Sequence, residues 1–114
     1  MARRLLRRRG MKILARNYRC PKGEADLIAL DRSTRGDLGA ETLAFVEVKT
    51  LSSPQRADPH AAVNADKQRR LRRVAAYYLA THPDAEGLNV RFDVVAIVLE
   101  DPHAPQVTYI RSAF

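Results

Sequence analysis

Two short stretches decide the fold: Glu24–Asp31 (EADLIALD) and Leu43–Thr50 (LAFVEVKT). Each is a run of strand length, rich in apolar and β-branched residues and bounded by polar ones. Between them lies Arg32–Thr42 (RSTRGDLGAET), a polar connection rich in Gly, Ser, Thr and charge. The pair reads as an antiparallel hairpin closed by a long loop. Side chains alternate across a strand, so Phe45, Glu47 and Lys49 share one face of the second stretch while Val46 and Val48 share the other. Glu24 and Asp26 share a face of the first in the same manner, and pairing the two strands brings Asp26 beside Glu47.

On the N-terminal side, Lys12–Arg19 alternates as a first strand and Pro21–Gly23 is a turn. Arg3–Arg9 reads as a short basic helix closed by Gly10, a residue favoured just past a helix end. On the C-terminal side, Leu51–His60 (LSSPQRADPH) is a loop with two prolines. A helix is predicted after it, with Asn64 as N-cap and Asp66 in the first turn, running to His82-Pro83. Leu71, Val74, Ala75, Tyr78 and Leu79 form its inward stripe. Phe92–Leu99 (FDVVAIVL) is apolar on both faces, as a strand covered on two sides must be, and Gln106–Arg111 is predicted as an edge strand. This order predicts an α/β fold with a central mixed sheet of about five strands flanked by helices.

A chain of 114 residues suggests one domain, spanning 1–114. Its 46% hydrophobic and 29% charged residues fit a globular chain rather than a disordered one. No apolar run, Val94–Leu99 included, is long enough to span a membrane. No apolar signal-peptide segment follows the basic start. With a single cysteine, Cys20, an internal disulfide is excluded, which fits a reducing cytoplasm. The net charge of +7 favours polyanions: nucleic acid first, an acidic membrane surface second. That charge is concentrated. Residues 1–22 carry nine Lys and Arg without an acid, and residues 67–73 (KQRRLRR) carry five more.

Charged side chains amid apolar strands need a reason, because a buried charge costs several kcal/mol unless paired or bound to metal. One reading is an ion pair that closes the hairpin. The other is chemical: converging Asp26 and Glu47 make a hard-oxygen site for Mg²⁺ or Mn²⁺, with Lys49 placed to orient a water or to stabilise charge on phosphorus.

The segments RNYRC, GEADLIALD, FVEVKT, KQRRLRR and RFDVVAI, in that order, resemble the YraN family of small bacterial proteins, over nearly the whole chain from Gly10 onward. The resemblance implies a restriction-endonuclease-like fold and places the chain beside the PD-(D/E)xK nucleases, archaeal Holliday-junction resolvases among them. By that pattern Asp26 and Glu47 are the metal-binding acids and Lys49 the site lysine, with Glu24 as an auxiliary acid. It also implies metal-dependent hydrolysis of DNA phosphodiesters, branched or otherwise structured DNA as substrate, and a homodimer for paired cuts. Two positions depart from the pattern. Ala25 stands where a proline is usual. No acid precedes Glu24, although the family's longer first helix carries a glutamate. On this reading residues 1–10 are a remnant of that helix, and either its start is truncated or the protein lacks that metal-site acid. The departure keeps a second reading open: a DNA-binding module that retained the fold without a working metal site.

Lys67 lies on the inward helical stripe, either as a snorkelling lysine or as a phosphate contact near the site, with Gln68 a neighbouring auxiliary candidate. Arg69, Arg70, Arg72 and Arg73 are predicted on the outward side, as a solvated face or as sequence-independent contacts to the nucleic-acid backbone. Asp93 reads as a structural acceptor for an arginine or backbone N–H, Tyr78 as core, and Cys20 as a packed thiol. A membrane partner is not expected, since the apolar stripe of helix 64–81 is needed for the core.

Overall fold

The computed structural model describes residues 1–52, 64–101 and 103–114. Helix α1 (Ala2–Arg8) is followed by strands β1 (Lys12–Cys20) and β2 (Gly23–Asp31), a 3₁₀ turn at Arg32–Thr34, the single-turn helix α2 (Arg35–Leu38) and β3 (Thr42–Leu51). Helix α3 (Ala65–Thr81), a second 3₁₀ turn (Pro83–Ala85), β4 (Asn89–Val98) and β5 (Gln106–Ile110) complete the order. The described strands form one mixed sheet in the order β1-β2-β3-β4-β5. Neighbours are antiparallel except β3 and β4, which run parallel from Thr42↔Asn89 to Leu51↔Val98. Parallel neighbours need a crossover, and α3 lies within it.

The predicted α/β fold with a mixed sheet is thus observed, with strand limits within one residue of those read from the sequence except at β4, which begins three residues earlier, at Asn89. The connection after β2 differs. It is not open loop, because the Asp31 side chain accepts the Ser33 N–H and caps the 3₁₀ turn that leads into α2. The loop expected at Leu51–His60 begins later than predicted, since Leu51 is still paired in β3; residues 53–60 lie outside the described residues.

Both faces of the sheet are covered. On one, Leu71, Val74, Ala75 and Tyr78 of α3 pack on Ala25, Ile28, Leu43 and Phe45. On the other, Ala2 and Leu6 of α1 pack with Met11, Leu27, Ala29, Ala44, Val46 and Val95. This explains why Leu43–Val46 and Val94–Ala96 read as unbroken apolar runs: both strands are interior and buried on two sides. Gly10, at φ +79°, ends α1 in the left-handed conformation and turns the chain into β1. Asn64 caps α3 as predicted, its Oδ1 accepting the Lys67 N–H at 2.9 Å. Among the described residues no helix is long and apolar enough to cross a membrane.

One end of the sheet is tied by charge. Arg91 donates from Nε and Nη2 to the fully buried Asp93, at 2.9–3.1 Å, and from Nη1 to Asp31 at 2.9 Å. Asp93 also accepts the Ser112 N–H at 2.9 Å and the Tyr109 hydroxyl. Asp93 is therefore the structural acceptor expected from sequence, and the network joins β2, β4 and β5.

Candidate functional site

The opposite end of the sheet opens. Pairing of β2 with β3 runs from Asp31↔Thr42 to Leu27↔Val46 and stops there. Beyond that point β2 stays with β1, through Ala25↔Tyr18 and Glu24↔Arg19, while β3 stays with β4. The sheet forks into two ribbons. Asp26 is the first residue past the fork on one ribbon and Glu47 the first on the other, so the register sets them opposite each other as the sequence predicts.

Asp26 spans the gap. Its Oδ2 accepts the Val48 N–H at 2.8 Å, satisfying a donor that the parted strands would otherwise leave open. Strict alternation breaks here: Ala25 and Ile28 pack toward α3, and Leu27 packs toward α1. Asp26, at this break, lines cavities on both sides of the sheet.

The cavity on the α3 side has a volume of about 210 Å³ and is lined by Glu24, Asp26, Glu47, Lys67, Arg70 and Leu71. Glu47 is one-fifth exposed, with Lys67 Nζ at 4.0 Å from its Oε1. Burial is the main reason its carboxyl titrates above the usual glutamate range. The Asp26 charge, and a hydrogen bond to Asp26 that only the protonated form can donate, push the same way, while Lys67 and Lys49 oppose them. A carboxyl whose ionisation is opposed by burial and by a neighbouring acid is one that a hard cation would relieve.

The predicted site residues separate into those the cavity gathers and those it does not. Glu24, Asp26, Glu47 and Lys67 line it together. Glu24 also faces Arg19, with Nε at 3.6 Å. Lys49 lies on the Glu47 face of β3, half-buried, close enough for its charge to act on Glu47 without lining the cavity. Gln68, half-buried on α3, is likewise outside the lining. No three His, Cys, Asp or Glu among the described residues come together as a ready metal cage. The protein therefore offers a pair of carboxylates, which suits a Mg²⁺- or Mn²⁺-like ion that keeps several waters.

The four arginines of α3 are all exposed, in keeping with the outward placement read from the sequence, but their surroundings differ. Arg69 pairs with Asp66. Arg72 lies over the rings of Phe92 and Phe114, at 5.2 and 5.6 Å from their centroids. Arg73 is exposed. Arg70 turns to the cavity, a role helical periodicity understated because the residue sits on the flank of the buried stripe. Tyr78 is core, in edge contact with Tyr18 and Phe45. Cys20 packs against the same cluster as a half-buried thiol.

A five-stranded mixed sheet between helices, parted at an inner strand pair with an acid on each side of the split, defines an α/β protein of nuclease-like architecture. The chain belongs to the uncharacterised protein family UPF0102, the YraN family, whose model matches residues 1–97. It is similar to the UPF0102 protein of Nocardia farcinica, with 41% identity over 114 residues, covering all of this chain and 83% of the relative. The UPF0102 protein of Beutenbergia cavernae is 45% identical over 111 residues, 97% of this chain and 86% of its own length. That of Moorella thermoacetica is 42% identical over 111 residues, 96% and 85% respectively. Family membership names no reaction, so function rests on the site.

Proposed function

We propose that this chain binds nucleic acid and hydrolyses phosphodiester bonds, most plainly those of DNA, with a divalent cation held by Asp26 and Glu47. The observation that carries this reading is the meeting of Asp26 and Glu47 at the fork, in one cavity with Lys67 and Arg70. Mg²⁺ or Mn²⁺ bound there would lower the pKa of a coordinated water and offset charge developing on phosphorus. Asp26 keeps Oδ2 on the Val48 N–H, which fixes its rotamer and leaves Oδ1 for the ligand. Glu47 must lose its proton before it can serve as a ligand. Lys49, on the same face of β3, supplies N–H donors to an attacking water. Lys67, beside Glu47, offers its ammonium to a phosphate oxygen. Carriage on strands and a packed helix holds these groups more firmly than loops would.

The test is cleavage of supercoiled plasmid and of branched oligonucleotides in Mn²⁺ or Mg²⁺, comparing the wild type with Asp26→Asn. Metal-dependent cleavage by the wild type alone supports the proposal, and equal cleavage by both proteins would falsify it. Although Glu24 lines the same cavity, no three acids among the described residues come together closely enough to hold a metal, which favours one alternative: a nucleic-acid-binding module without catalysis. DNA binding with no cleavage in any divalent metal would select it.

A further inference from the structure

Arg70 differs from its neighbours in how it is held. Gly23, the first residue of β2, adopts φ +141°. A Cβ built there would lie 2.8 Å from Cγ and 2.9 Å from Cδ of Arg70. The stem of Arg70 is thus laid against bare backbone, in space no side chain at position 23 leaves free. The contact places Arg70 at the cavity with Glu24, Asp26 and Glu47, yet among the described residues Arg70 makes no ion pair with any of them. Its stem runs along the bare backbone at Gly23 while the residue stays exposed, and its guanidinium donors remain available to a ligand.

The cavity's charge decides which ligand. Its lining has three carboxylates to two cations; Arg19 faces Glu24, but the neighbouring Asp26 and Glu47 at the fork still oppose an approaching phosphate. A divalent cation reverses that balance. We infer, on the nucleic-acid reading above, that Arg70 is the residue that grips the substrate phosphate at the site, and that it does so only once the divalent cation is bound. Arg73, and Arg69 once it releases Asp66, supply the cation-independent hold on the nucleic-acid backbone. A guanidinium suits this task because its planar fork can take two phosphate oxygens at once.

The inference is tested by binding of a fluorescein-labelled DNA duplex to the full chain, in EDTA and in Ca²⁺. Wild type is expected to bind about tenfold or more tightly in Ca²⁺, the scale of charge-assisted hydrogen bonds to a phosphate. Arg70→Ala keeps its EDTA affinity within about twofold and loses the Ca²⁺ gain, and Arg70→Lys recovers part of it. The Arg69→Ala/Arg73→Ala protein does the reverse, binding weakly in EDTA and keeping the gain. Calorimetric titration of Ca²⁺ alone must show binding to Arg70→Ala at least as tight as to wild type, since a like charge has been removed; weaker Ca²⁺ binding would mean that Arg70 merely supports the acids, and overturns the inference. So does a Ca²⁺ gain retained by Arg70→Ala, or absent from the wild type. A wild type that binds no DNA in either buffer overturns the nucleic-acid reading itself, and this inference with it.

Discussion

The carboxylate of Asp26 takes the backbone N–H of Val48 at 2.8 Å, across a point where the strands carrying them have already separated. One oxygen of a candidate metal ligand thus closes the fork while the other is left for chemistry. Asparagine can accept the same N–H through its amide oxygen. Asp26→Asn is therefore expected to retain the fold, with a near-native melting temperature, and to lose divalent-metal cleavage by more than about 100-fold, beyond the range seen when a residue that only orients a ligand is changed. A large fall in melting temperature would show that the carboxylate is needed for the fork rather than for chemistry.

Glu47 predicts a pH signature. Its folded-state affinity for protons is raised above that of the unfolded chain, by burial first and by Asp26 second. Its ionisation therefore opposes folding: the contribution is favourable below the ordinary glutamate range and is lost as pH rises through the raised value. In EDTA, Glu47→Gln should melt higher than wild type at neutral pH, with the difference vanishing as pH falls below that range. Mn²⁺ binding to the wild type should release protons and tighten as pH rises through the same window, which calorimetry in buffers of different ionisation heat would show.

Arg72 is expected to matter for stability more than for binding. It covers the stacked pair Phe92 and Phe114, a contact that contributes about 0.5–1 kcal/mol at exposed positions. Arg72→Ala should lower stability by about that amount in urea unfolding, and should weaken DNA binding less than Arg73→Ala does.

The Asp31–Arg91–Asp93 network calls for a larger effect. Arg91→Ala leaves the buried Asp93 without its cation and Asp31 with only the exposed Arg111 at 3.4 Å, and breaking a buried ion pair typically costs about 3–5 kcal/mol. For Asp31, burial alone would raise its pKa, but hydrogen bonds from Ser33 and Arg91 outweigh it and hold the carboxyl below the usual aspartate range. Its contribution is therefore present above the unfolded-state value and lost as pH falls through the folded one. Wild type should lose stability on acidification through that interval, and Arg91→Ala should lose less, as measured by denaturant midpoints at a series of pH values.

Much of this was legible in the sequence because it rests on local periodicity. Alternation in Leu43–Thr50 put Glu47 and Lys49 on one face, the Asn64 cap marked the start of α3, and the apolar run at Val94–Leu99 announced a strand covered twice. What local pattern could not carry depended on contacts between distant segments. The salt bridge of Arg91 to Asp31 joins residues sixty apart. The sorting of the α3 arginines depends on Gly23 and Phe114, each far along the chain, so helical position alone set them together where tertiary packing sets them apart. The bond from Asp26 to Val48 needed the fork, and a fork is a property of three pairings taken together.

That fork has an evolutionary corollary. A polar notch made where a sheet divides takes nothing out of the hydrophobic interior. Residues around the notch are then free to vary with little effect on folding, while the far end, tied by Arg91, Asp93 and Tyr109, keeps the scaffold in one piece. Libraries randomised at Glu24, Lys67 and Arg70 should yield mostly folded proteins, and equal libraries at Asp31, Arg91 and Asp93 mostly insoluble ones. The architecture separates the part that can be retuned from the part that cannot.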